Sequence, residues 1–426
     1  MSALLEHFQT PLARLLLQFI VIILATRAVW TLFARCGQPA VIGEITAGIL
    51  LGPSLFGWVW PGAAGFIFPK ESLGILQLFS QIGVCLFMFV VGLELELAHL
   101  RQRARAALFI SNAGIVVPFL LGVAAAIGLY PNFAAPGTAF VPFALFMGTA
   151  LSITAFPVLV RILKDRGLMK TPLGSMAITC AAAGDATAWT MLAFVVAIAH
   201  ATGLAATFFS LGLVGLFVAV MWFVVRPQLP RWLDGNGGDG TPGRGVMAAV
   251  LVFMTVAALF TELMGIHALF GAFLAGVVMP QKKAFREHLI LQLENFSGVF
   301  LLPLFFAFSG LRTQLGLLND ITGWLICAGI IGIATLGKLG GTLVAARFTG
   351  MAAREAFALG ALMNTRGLVE LIVLNIGYDL GILPPRIFTM MVLMALGTTF
   401  MTGPLLNLAR PEGERRRLHQ GQPVGR

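Results

Sequence analysis

The sequence predicts an all-α polytopic membrane protein of about thirteen transmembrane helices, and three observations predict it. The 426 residues are 58% apolar and only 11% charged, against roughly 45–50% and about 25% in soluble domains. So few charges cannot cover the surface of a water-soluble chain of this length. The apolar residues fall into runs long enough for helices of about 20 residues. The basic residues, finally, fall almost entirely on alternate loops.

The expected spans are 12–33, 40–57, 72–92, 105–129, 139–163, 172–200, 205–225, 246–264, 266–280, 295–311, 321–347, 355–376 and 385–408. The second and ninth are short. The first is too long for the core of a signal peptide, and its Leu32-Phe33-Ala34-Arg35 end lacks a small-residue cleavage site, so it is expected to be retained. The 49 glycines suit close helix approach, and Gly48/Gly52 and Gly337/Gly341 form GxxxG pairs, a weak signal in so Gly-rich a chain. A hydrophilic Gly-rich stretch from Arg226 to Arg244 divides the chain. The expected organisation is a first half of six helices (1–204), a linker helix and loop (205–245), a second half of six helices (246–409) and a short basic tail (410–426).

Charge sets the expected orientation. Of the 28 Lys and Arg, 21 lie on one alternating set of loops and only four on the other. The positive-inside rule then places the basic set in the cytoplasm, with the N-terminus outside and the C-terminus inside. The net charge of +10 is thereby explained by orientation and anionic lipid. It carries no nucleic-acid signal, because the arginines are dispersed and the Arg415–Arg417 run is short. Cys36, Cys85, Cys180 and Cys327 form no CxxC pair and read as packing residues.

Function is concentrated in a few polar residues inside apolar spans. Asp185 is the only charged residue between Met176 and Ala199. A charge at that depth costs about 2.5–3.5 kcal/mol even on the lenient insertion scale, and such residues face a wet cavity or a partner. Lys338 is the one basic residue near the middle of a span. Two spans carry helix-interrupting clusters: Ser152-Ile153-Thr154-Ala155-Phe156-Pro157 in the fifth and Asn364-Thr365-Arg366-Gly367 in the twelfth. Being seven spans apart, they traverse the membrane in opposite directions. The Asp185 span follows the first break and the Lys338 span precedes the second. Interrupted segments at matching positions of two halves point to a midplane site in an inverted-repeat transporter.

The motifs GEITAGILLGPSLFG (43–57), CLFMFVVGLELEL (85–97), SITAFPVLVRILKD (152–165), GDATAW (184–189), HALFGAFLAGVVMP (267–280), LPLFFAFSGLRTQL (302–315) and GKLGGTLVAARFTGMAAREAFALGALMNTRGLVEL (337–371) cover nearly the whole chain. In that order the chain resembles the monovalent cation:proton antiporter superfamily, second branch, which includes Na+/H+ exchangers and potassium efflux antiporters. The resemblance implies that Asp185 is the ion and proton site, that Lys338 is its counter-charge, that the two broken helices cross beside them, and that the protein is a homodimer. One departure is Gly184, where the family often has Asp, Asn or Gln, leaving one carboxylate where electrogenic relatives have two. Another is a stretch of under twenty residues after the last span, where potassium efflux members often carry a nucleotide-binding domain. Gating by such a domain would require another subunit.

The expected function is therefore antiport of a monovalent cation, Na+ or K+, against protons in a bacterial inner membrane, with no cofactor. Burial disfavours the charged forms of a carboxyl and an amine, and pairing opposes this. Proton, cation and the Lys338 ammonium would compete for Asp185, and alternating access turns competition into exchange. Ser152, Thr154 and the carbonyls freed near Pro157 would complete an oxygen shell. Plainer readings stand beside these. Asp185 suits a structural hydrogen bond, Lys338 the negative ends of the broken half-helices, and Thr154 a bond back to its own helix. Arg366 and Glu370, four apart, suit an intrahelical pair that pins the second break. Glu44 and Glu94 suit helix ends, and His267 a span boundary. An enzyme is not expected: GxGD fails at Ala182, no HExxH occurs, and Tyr378-Asp379 is expected in a loop. A passive channel or a sodium-coupled symporter is the alternative function.

Overall fold

The computed structural model describes residues 10–94, 104–169, 171–200, 204–234, 243–265 and 267–409. Arg101, Arg103, Lys170, the centre of the Gly-rich linker and the basic tail lie outside the described residues. Among the described residues all regular structure is helical. In chain order the helices are α1 Pro11–Arg35, α2 Ala40–Leu51, α3 Phe56–Val59, α4 Pro61–Ile67, α5 Lys70–Glu94, α6 Ala104–Phe133, α7 Phe140–Ser152, α8 Phe156–Asp165, α9 Pro172–His200 and α10 Leu204–Ala219. After a π-helical turn at Val220–Val225 come α11 Arg226–Asp234, α12 Arg244–Leu263, α13 Ala268–Val278 and α14 Lys283–Phe296. A second π-helical turn, Ser297–Leu301, leads into α15 Leu302–Leu311, followed by α16 Ile321–Phe348, α17 Ala353–Met363, α18 Leu368–Asp379 and α19 Pro385–Ala409.

Eleven helical segments among the described residues are long and apolar enough to cross a membrane, and the bent pair α17 and α18 makes a twelfth. The protein is an integral membrane protein. The remaining expected span, 266–280, appears as α13, whose 11 residues rise only about 16 Å at 1.5 Å each, half of a ~30 Å hydrocarbon core. It is short because both its ends are fixed by local chemistry. His267, with φ +91°, caps the start, and the chain turns out of the helix at Met279 before Pro280. Arg286, buried, donates to the carbonyls of Met279 (3.3 Å), Pro280 (3.1 Å) and Leu93 (2.6 Å), tying the end of α13 to the end of α5.

The chain forms two compact units, each drawing on both halves of the sequence. The first takes its residues from 1–27, 47–98 and 189–311, the second from 28–46, 99–188 and 312–426. In the first unit, Leu15, Phe19, Ile22, Leu76, Leu304 and Phe308 belong to one apolar core cluster. There α5 and α13 touch backbone to backbone: a Cβ on Gly92 would collide with the Phe273 carbonyl, and one on Gly276 with that of Phe89. Gly48 and Gly52 face Ala307 and Leu311 of α15. In the second unit Gly337 and Gly341 face Pro118 and Val117 of α6. Both GxxxG pairs are thus helix-contact faces.

One local expectation is corrected. Tyr378 and Asp379 are not in a loop but form the last two residues of α18. The helix runs on because Asp379 is held by Arg312 at 2.8 Å, and the Arg312 guanidinium lies 5.1 Å from the centre of the Tyr378 ring.

Candidate functional site

All nine residues singled out from the sequence as site or support residues belong to the second unit. The first break begins where α7 ends at Ser152. Ile153 and Ala155 are extended (φ −72°, ψ 143° and φ −86°, ψ 97°), and α8 restarts at Phe156 with Pro157 in its first turn. Pro157 lacks an N–H and is tolerated there because first-turn N–H groups have no intrahelical acceptor anyway. The second break begins where α17 ends at Met363. Asn364 caps that helix, Gly367 is extended, and α18 restarts at Leu368 after a bend of 43°.

The two breaks are joined to each other. The Ala155 N–H donates to the Thr365 carbonyl at 3.0 Å, and the Thr154 hydroxyl donates to the Met363 carbonyl at 2.9 Å. Each break thus supplies bonds that the other's unwound backbone lacks, as a buried chain segment requires. Gly367 lets them approach: a Cβ there would stand 2.7 Å from Val158 Cγ2 and 3.2 Å from Ala155 Cβ. Thr154 therefore bonds across to the other span rather than back to its own helix. The Ser152 hydroxyl does bond back, to the Thr149 carbonyl at 2.8 Å.

Four ionisable side chains in this unit are buried together: Asp185, Lys338, Arg366 and Glu370. They are placed according to the ends of the half-helices. The last carbonyls of α7 have no intrahelical donor and carry the negative end of its dipole. Two cations take them. Arg366 donates to Ala150 O at 2.6 Å and to Leu151 O at 2.5 Å, and the Lys338 ammonium donates to Ser152 O. The positive N-terminal ends face the acids. The Phe156 N–H at the start of α8 faces Asp185, and Glu370 sits in the first turn of α18. Arg366 and Glu370 do pair, at 3.6 Å. The pair is not within one helix, however, because Arg366 lies in the break and its guanidinium is bonded chiefly across to α7.

Neither Asp185 nor Glu370 closes a hydrogen bond on its carboxylate oxygens, but Glu370 has its ion pair with Arg366 at 3.6 Å, whereas among the described residues no ion pair within 4 Å holds Asp185. Asp185 is 1% exposed, and the Phe156 N–H that faces it does not close a hydrogen bond on either oxygen. Lys338 acts on it electrostatically but makes its hydrogen bond to Ser152. A buried carboxylate left without donors is costly, so this arrangement suits a site that a proton or a cation fills.

Residues 20–408 match the sequence pattern of the family described as sodium/hydrogen exchanger, transmembrane. The chain belongs to that family. It is 44% identical over 395 residues to the Na+/H+ antiporter NhaS4 of Synechocystis sp., spanning 92% of this chain and 96% of that one. It is 40% identical over 407 residues to cation/H+ antiporter 17 of Arabidopsis thaliana, covering 94% of this chain but only 48%, about half, of that longer protein. In fold it resembles the sodium proton antiporter MjNhaP1 from Methanocaldococcus jannaschii, with a TM-score of 0.67 over 91% of this chain and 97% of that one, at 12% identity.

In this exchanger chain the structure adds residues that sequence reasoning passed over. The Thr399 hydroxyl accepts from the Arg366 N–H (2.8 Å) and donates to the Arg366 carbonyl (2.9 Å), bracing the second break from α19. Thr402 lies 3.4 Å from the Thr365 hydroxyl. The available signal was the clustering of Thr398, Thr399 and Thr402 in a largely apolar last span. Lys338 does go to the negative end of a broken half-helix, as one reading of the sequence had it, whereas the destination of Arg366 on the two preceding α7 carbonyls had no sequence signal.

Proposed function

We propose that this protein is a secondary active antiporter that exchanges a monovalent cation, Na+ or K+, for protons, with both competing for Asp185. The observation that carries this is the Asp185 carboxylate: buried, with no closed hydrogen bond on either oxygen and no ion pair within 4 Å among the described residues, beside the N-terminal end of α8 and facing a lysine bonded elsewhere. A proton neutralises the carboxylate; a cation does the same if neutral oxygens complete its shell. Ser152 and Thr154 use their hydroxyl protons on carbonyls, so their oxygens remain able to accept a cation. Lys338 is the counter-charge of the set. Pro157, Asn364, Thr365, Arg366 and Glu370 hold the two breaks in place. Sodium is named for the Synechocystis relative, and it is the first cation to test here.

The wider organisation belongs to the same proposal. Residues 1–204 and 246–409 are inverted repeats joined by 205–245 and followed by the tail 410–426. Alternating access exposes Asp185 to one side at a time. The 21-to-4 distribution of basic residues orients the N-terminus outward and the C-terminus toward the cytoplasm of a bacterial inner membrane. The functional form is a homodimer. Purified protein in proteoliposomes bearing an acid-inside gradient tests the function. Added Na+ or K+ is expected to collapse the gradient in the wild type and not in Asp185→Asn. A gradient indifferent to every alkali cation would overturn the proposal. Cation flux without proton movement would point to a channel.

A further inference from the structure

We infer that Asn364 is a ligand of the transported cation, supplied by the second break, and that its amide oxygen helps to set which cation is preferred. This rests on the exchange reading above. Asn364 is fully buried, and neither Oδ1 nor Nδ2 has a hydrogen-bond partner. A side-chain amide has two donors and an acceptor with two lone pairs. Burying it unbonded is a cost that folded proteins rarely accept without a bound ion or water to meet it.

The rest of the break is committed. The Thr365 hydroxyl donates to Leu362 O at 2.7 Å. The Arg366 backbone is bonded on both sides by Thr399, and its guanidinium is bonded to Ala150 and Leu151. The helix end at Asn364 is closed by its backbone N–H to Gly360 O at 3.1 Å, which leaves the side chain no capping duty.

Position points the same way. The residues flanking Asn364, Met363 and Thr365, are those whose carbonyls bond Thr154 and Ala155. The next residue along the first break, Phe156, presents its N–H to Asp185. The unbonded amide and the unbonded carboxylate thus belong to one crossing. The two oxygen types are complementary: the carboxylate supplies the charge, and a neutral carbonyl-type oxygen replaces water around a hard cation. Discrimination among alkali cations depends on the size of such a cavity and on the number and strength of its dipoles. A neutral ligand also leaves the charge of the site to Asp185.

The test is calorimetric titration of the full-length protein in detergent with LiCl, NaCl, KCl and RbCl, on the wild type and on Asp185→Asn, Asn364→Ala and Asn364→Asp. Asp185→Asn is expected to abolish binding. Asn364→Ala is expected to weaken the preferred cation by about tenfold, the loss of one good ligand, and to narrow its lead over the next. Asn364→Asp, nearly the same size and so the safeguard if the alanine variant does not fold, is expected to tighten binding and reorder the series. Wild-type affinities and order in either folded Asn364 variant would overturn the role of Asn364 alone. No binding by the wild type would instead overturn the exchange reading beneath it.

Discussion

Asp185 and Lys338 differ in what each does for the protein, and substitution should separate them. Asp185 makes no hydrogen bond that folding depends on. Asp185→Asn is therefore expected to insert and fold normally while losing cation-dependent proton movement; full exchange by a correctly inserted Asn variant would remove Asp185 from the centre of the mechanism. Lys338 satisfies Ser152 O at the end of α7 and is fully buried. Lys338→Ala leaves that carbonyl orphaned, a cost of about 1–3 kcal/mol, and leaves the buried acids with one cation fewer. Its melting temperature in detergent should fall clearly below that of the wild type. An unchanged melting temperature would mean that the ammonium does nothing for the half-helix end.

At the scale of elements, the second break is held by α19 as well as by the first break. Thr399→Val keeps the shape of the side chain but removes both bonds to the Arg366 backbone. Two buried backbone groups lose their partners, so a loss of about 2–3 kcal/mol is expected. Thr402→Val should cost less, because its contact with Thr365 is long at 3.4 Å. Equal melting temperatures for the two variants would contradict this ranking. Element identity was largely legible in the sequence. The breaks appear where Pro157 and the Asn364–Gly367 cluster predict them, because a missing N–H and an exposed backbone act locally. The continuation of α18 through Tyr378 and Asp379 was not legible, since it depends on Arg312, 67 positions before Asp379 in the sequence.

For the whole molecule, the stoichiometry follows from the count of groups that change occupancy. Gly184 leaves Asp185 as the only carboxylate of its span. The structure adds Glu370, but as a partner of Arg366 and Lys338. Lys338 bonds the Ser152 carbonyl rather than Asp185 in this structure, so it is left out of the groups expected to change occupancy. Exchange of one cation for one proton, moving no net charge, is the expected result. Charge-moving transport would respond to voltage by about 2.3 kcal/mol per charge per 100 mV. Exchange in proteoliposomes clamped with potassium and valinomycin should therefore show no voltage-driven accumulation of Na+; steady accumulation would make the cycle electrogenic and Lys338 the next proton carrier to test. Orientation is open to a simpler measurement. A single cysteine introduced by Asn236→Cys in a cysteine-free background is expected to react with an impermeant thiol reagent only from the cytoplasmic side.

Composition and periodicity alone determined that this is a helical membrane protein, because the hydrocarbon core imposes a span length that a sequence must satisfy locally. Cost marked Asp185 as the candidate centre, since an isolated charge in an apolar run needs a reason wherever the chain goes. The motifs along the chain determined the family. Tertiary structure alone decided how the site is wired: which cation takes which α7 carbonyl, that Thr154 reaches the other break, and that Thr399 braces Arg366. It also decided that the side chains of Asn364, Asp185 and Glu370 close no hydrogen bond. These facts depend on contacts between residues up to 216 positions apart, as from Ala150 to Arg366. Neither local propensity nor burial pattern encodes which of several buried polar groups will meet. That is set by how closely helices approach, and in this unit by where Gly337, Gly341 and Gly367 permit it.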